Sequence, residues 1–253
     1  MSKQYRSLVN IVSDGTSNFD QSILLSPVFK NSIKANCEST LLVSSVEIPR
    51  SWYMLDETTT NSILVNKVTV NITHRKNYNK SELAVELERN LSKSGIRKKF
   101  AVTYDAASNK YYIESSDDFN IDFRGSALLA KYFGFLEKEY EAKFVTSSTG
   151  TVYVLNSVNV SNIERYDGLT ICSSLAHNNY CNDICYIYVK SSMRDDMIVY
   201  NDNGNQNMVT LDNNLNDNNI YNFKLIDTAT RKEINLNNAK WRMTLRLTVD
   251  SGR

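Results

Sequence analysis

Residues 220–249 constrain the fold of this chain more than any other stretch. In Ile220-Tyr-Asn-Phe-Lys-Leu-Ile-Asp227 and Trp241-Arg-Met-Thr-Leu-Arg-Leu-Thr-Val249, apolar and polar residues alternate with period two, as in half-buried antiparallel strands. We read them as two strands of one sheet joined by a polar turn. Phe223, Leu225 and Asp227 share one face, and Trp241, Met243, Leu245, Leu247 and Val249 line one face of the closing strand. A mate for them lies far upstream in residues 41–53, an apolar strand run stopped at a corner by Pro49. Strands so distant in sequence, with no catalytic inventory between them, point to a scaffold or shell.

The 253 residues suffice for one large all-β domain or a medium one carrying an insertion. With 29 basic and 28 acidic residues the net charge is +1, so no global field draws the chain to nucleic acid or to an anionic membrane. No apolar run is long enough to span a bilayer. The amino terminus lacks a signal-peptide pattern, so synthesis and retention in the cytosol are expected unless the chain is exported inside something larger. The four cysteines, Cys37, Cys172, Cys181 and Cys185, are too few and uneven for a disulfide framework. Asparagine is abundant while glycine numbers 8 and proline 2; Asn can therefore serve left-handed turn positions, although base-composition bias explains its abundance equally well.

Residues 1–36 read as an extended amino-terminal arm with one or two short edge strands. Strands follow at 38–48 and 62–73, the second with an irregularity near Asn66-Lys67. The period then changes. Asn79-Lys-Ser-Glu82 has capping-box spacing, and Leu83, Leu87 and Leu91 recur every four residues, predicting a helix over 80–93. A hairpin turning at 106–109, a strand at 119–123 and a helix over 126–133 closed by Gly134 complete an α+β insertion at 75–143. Strand signals return at 151–155, 169–173, 184–189 and 198–200, before an Asn/Asp-rich loop at 201–219. The expected fold class is all-β: one sandwich from 37–74 and 144–253, interrupted by that insertion.

The order of these features resembles the single jelly-roll minor capsid (penton) proteins of virophages, Polinton-like viruses and related double-stranded DNA viruses. The matching pieces are Val46-Glu-Ile-Pro-Arg-Ser-Trp-Tyr53 with Asn61, the helix from Asn79, Ala130-Lys-Tyr-Phe-Gly-Phe135, and the terminal strands around Asp227 and Trp241. The resemblance implies a jelly-roll sandwich upright in a capsid, five copies around each vertex of the virion, and an insertion facing outward toward a host receptor. It also implies a homopentamer that meets major-capsid trimers, for which the arm is the expected contact. Arg50 and the glycine-free turn Thr228-Ala-Thr-Arg231 depart from the family pattern.

The chemical inventory fits a structural role. Nucleophile-and-base catalysis needs a histidine or a perturbed carboxylate beside Ser or Cys, and the chain has only His74 and His177. We expect no enzyme and no cofactor; a two-carboxylate hydrolase is the least favoured reading. Cys172, His177, Cys181 and Cys185 form a weak zinc candidate, with buried thiols preferred. Asp117-Asp118, Asp195-Asp196 and residues 212–217 lack calcium-loop spacing and are expected as solvated loops. Arg97-Lys-Lys99 is expected to cap the end of its helix. Arg242 and Arg246 fall on the outward side of the last strand and are the candidate subunit-interface residues. The alternative from another class is a receptor- or carbohydrate-binding spike or fibre-base module.

Overall fold

The computed structural model describes residues 3–26, 30–31, 37–96, 98–147, 150–176, 182–189, 197–203, 208–211 and 219–251. The chain is mostly β, in four antiparallel sheets. It divides into two compact units, Met1–Trp52 with Tyr166–Arg253, and Tyr53–Arg165.

In the first unit, β1 (Lys3–Val12), β17 (Arg242–Ser251), β3 (Glu38–Pro49) and β14 (Met197–Asn201) form one sheet in that order, and β15 (Met208–Thr210) also pairs with β3. A second sheet runs β13 (Asp183–Tyr188), β12 (Gly168–Ser173), β16 (Ile220–Asp227) and β2 (Asn18–Ser22). Inward residues of both sheets share one core, among them Ile11, Val43, Ile48, Ile171, Phe223 and Leu245. Phe19 links the layers, stacking on Phe223 at 5.8 Å and meeting Trp241 edge-on at 5.6 Å.

The early strand and the last strand are indeed neighbours, paired from Glu38↔Asp250 to Glu47↔Arg242. Their register shifts between Thr244 and Leu245. This bulge lets Leu41 and Val43, then Val46 and Ile48, all point inward although their spacing changes phase. Two expectations are corrected. Strands β16 and β17 do not pair with each other; they lie in opposite sheets, β16 between β12 and β2 and β17 between β1 and β3. Residues 3–26 are not an arm: β1 and β2 are edge strands of the two sheets, and Ile11, Phe19, Ile23 and Leu25 are buried in the core.

The second unit holds sheets β10 (Lys143–Ser147)–β11 (Gly150–Asn156)–β7 (Lys110–Ser115)–β6 (Phe100–Asp105) and β5 (Val68–Asn71)–β4 (Ser62–Val65)–β8 (Asn120–Asp122)–β9 (Glu139–Glu141). Helix α1 (Lys80–Lys93) carries the expected capping box between Asn79 and Glu82, and α2 (Ala127–Phe133) ends at Gly134 in the left-handed conformation. The irregularity at Asn66-Lys67 is a two-residue hairpin turn with both residues at positive φ, not a bulge in one strand. The unit boundaries lie at 52/53 and 165/166 where the sequence suggested 74/75 and 143/144. The β4–β5 hairpin buries Ile63, Val65 and Val70 with Leu83, Leu87 and Phe123, and β11 pairs with β7, so both segments belong to this second core.

Candidate functional site

The outward face of the first sheet carries both interface candidates. Alternation on β17 turns Met243, Leu245 and Leu247 inward and Arg242 and Arg246 outward. The two arginines then differ. Arg242 stands opposite Glu47 across the β17–β3 ladder, and its Nε donates to Glu47 Oε2 at 2.5 Å. With the side chains 67% and 37% exposed, this pair is screened and contributes little stability, but it neutralises Arg242 within the chain. Arg246 stands between Leu8 of β1 and Leu42 of β3, with Met208 paired to Leu42 one strand further on. It therefore sits in an apolar row.

Leu8 is 70% and Met208 55% exposed. Val12 and Val199 flank the Arg242–Glu47 pair in the same way. A groove of about 350 Å³ opens on this face, with Arg6 and Arg246 facing Glu38 and Asp250 over Leu42 and Met208. Charged side chains of both signs over aliphatic ones suit a protein surface better than a small-molecule pocket.

Part of the outer side of the second sheet is covered by its own chain. Residues 228–233 fold back across it: Ile226 bridges Glu233, Thr170 and Thr228 share a hydroxyl hydrogen bond of 2.8 Å, and Arg231 grips Asp183 through both terminal nitrogens at 2.7 and 2.9 Å. Thr170, Cys172 and Ile226 are buried there although they point outward. The outer face of the second sheet is thus covered only in part, and Tyr186 and Tyr188 of β13 remain 47% and 64% exposed on it.

The zinc candidate is divided. His177 and Cys181 lie outside the described residues. Cys185 is opposite Ile171 and packs into the core, while Cys172 points to the outer side and its thiol donates to Asp183 at 3.1 Å. The two cannot share one ion from opposite faces of a sheet. Burial pushes the Cys185 thiol up to about 12, helped by the nearby Asp202 charge. Among the described residues, no group of three or more His, Cys, Asp or Glu is arranged to hold a metal.

Other polar and aromatic side chains are engaged in local packing. His74 Nδ1 contacts the Asp56 carbonyl at 2.8 Å. Trp52 is buried edge-on against Tyr166, and Tyr111 is fully buried. Lys98 pairs with Asp118 at 3.1 Å, while the end of α1 is capped by Ser94, whose hydroxyl donates to the Leu91 carbonyl at 2.7 Å. Arg97, Asp195, Asp196 and residues 212–217 lie outside the described residues.

Sequence reasoning missed two buried ionic sites in the second unit. Glu86, on the inner face of α1, accepts from Thr73 Oγ1 at 2.6 Å, Asn90 at 2.9 Å and Arg89 at 2.5 Å. Arg165 pairs with Asp56 at 2.5 Å and donates to the Tyr53 carbonyl at 3.0 Å, joining the two ends of the unit. Only the charged residue at a buried helical phase, Glu86, left a trace in the sequence.

No family model matches the sequence, and no curated protein matches it. Among solved structures, the chain is similar to the crystal structure of the mavirus penton protein, with a TM-score of 0.56 and 9% sequence identity, over 98% of this chain and 99% of that one. The chain therefore has a penton-like fold along its whole length.

Proposed function

We propose that this chain is the penton protein of an icosahedral double-stranded DNA virus or virophage, five copies of which close a ring at each capsid vertex of the virion. The observation that carries this reading is strand order. Strands β1, β2, β3, β12, β13, β14, β16 and β17 give sheets β1-β17-β3-β14 and β2-β16-β12-β13, the pairing expected of a single jelly roll whose third connection carries the unit 53–165. The end-to-end likeness to the mavirus penton protein supports the same conclusion.

Ring closure needs a heterologous interface, with two different patches of one chain meeting. The face where Leu8 and Met208 lie exposed is the first of them. The full-length protein should run as a five-chain species in native mass spectrometry and show five-fold rings in negative stain. Leu8→Glu with Met208→Glu should shift it to monomer with its circular dichroism unchanged. A wild-type chain that stays monomeric at every concentration refutes the penton reading; rings that survive the double substitution refute only the choice of face.

A further inference from the structure

In the second unit, the first turn of α1 meets the β6–β7 turn at a cluster that the penton reading leaves unused. Lys80 Nζ stands 2.6 Å from Asn109 Oδ1, and the Tyr104 hydroxyl donates to the same oxygen at 2.8 Å. Tyr111, fully buried, donates to the Lys80 carbonyl at 2.8 Å, and the Ser161 N–H donates to the Asn109 carbonyl at 2.8 Å. Both backbones are therefore fixed. Glu164 is buried, and its charge acts on Lys80. The constellation contains an amine nucleophile and a carboxamide with a phenol polarising its oxygen.

We propose that Lys80 and Asn109 join in an intramolecular isopeptide bond. The neutral Lys80 Nζ attacks Asn109 Cγ, and the oxygen takes up negative charge against the Tyr104 hydroxyl. Collapse of that adduct breaks the Cγ–Nδ2 bond as one proton passes through solvent from Nζ to the departing nitrogen, both side chains being partly exposed. Amine and carboxamide become a secondary amide and ammonia, with no oxidant or co-reactant. Desolvation lowers the Lys80 pKa and so enlarges the neutral fraction able to attack. The new bond staples residues 29 positions apart, a cross-link that restricts the unfolded chain.

Intact mass spectrometry of the purified full-length protein decides the matter. The expected mass is that of the sequence less one ammonia, with tandem spectra showing two peptides joined through Lys80 and Asn109. Lys80→Arg and Asn109→Gly should restore the full mass; glycine accepts the φ of 56° at that position. A wild-type protein at full sequence mass, or an ammonia loss that persists in Lys80→Arg, overturns the proposal whether or not the chain forms rings.

Discussion

Glu86 shows how one side chain is fixed by surroundings that the sequence does not display. Burial would raise its pKa, but hydrogen bonds from Thr73, Asn90 and Arg89 together with the Arg89 charge hold the carboxyl down at about 2, from an ordinary value of 4.5. A depressed carboxyl pKa stabilises the fold above the unfolded value and loses that contribution as pH falls through the folded one. The shift corresponds to roughly 3 kcal/mol. Glu86→Gln should therefore lower stability at neutral pH and flatten its dependence between about pH 4.5 and pH 2, as read by urea melts across that range.

Asparagine was legible at this scale. Of the nine non-glycine residues at positive φ among the described residues, six are Asn, so turn geometry accounts for part of its abundance. Lys67 breaks the pattern at φ 65° beside Asn66. Lys67→Gly should raise the urea midpoint by about 0.5–1 kcal/mol of stability, since the hairpin turn favours Asn-Gly.

At the scale of elements, local signals were read well and pairing was not. The capping box of α1, the glycine stop of α2 and the β6–β7 hairpin are contacts within a few residues, and each is written in consecutive side chains. The partners of β1 and β2 lie more than a hundred residues away, and alternation says only that a strand has a buried face, not which sheet takes it. Strand β15 went unread because three residues in an Asn-rich stretch carry too little pattern. The new pairing reverses the expectation for the amino terminus. Deleting residues 3–12 strips β17 of its neighbour and removes Ile11 from the core, so the variant should lose the cooperative melting transition of the sandwich instead of merely failing to assemble.

For the whole molecule, the candidate face was half legible. Period two on β17 placed Arg242 and Arg246 outward, but the Glu47 partner and the Leu8–Arg246–Leu42 row appear only once β1, β17 and β3 lie side by side. The division into units had the same limit, because which core claims the β4–β5 hairpin depends on contacts that no local pattern encodes. With side chains only 11% and 16% exposed, the Arg165–Asp56 pair ties the ends of the second unit. Burial raises the Asp56 pKa, but the Arg165 and Thr58 hydrogen bonds outweigh it and leave the carboxyl below its ordinary range. An excised chain of residues 53–165 should fold alone. In it, Arg165→Ala should cost about 3–5 kcal/mol by thermal melting, since the Asp56 charge is left without its partner.

By itself the sequence determined that this is a β-rich chain with two helices at known positions, two distant strands that pair, and no usual nucleophile-and-base inventory, because periodicity, capping and residue type act over short distances. Tertiary structure alone decided which strands share a sheet, where the units divide, which arginine stays in an exposed apolar row and which lysine meets which amide. Those outcomes depend on the burial of residues brought together from far along the chain, where many pairings satisfy the local pattern and only packing chooses among them.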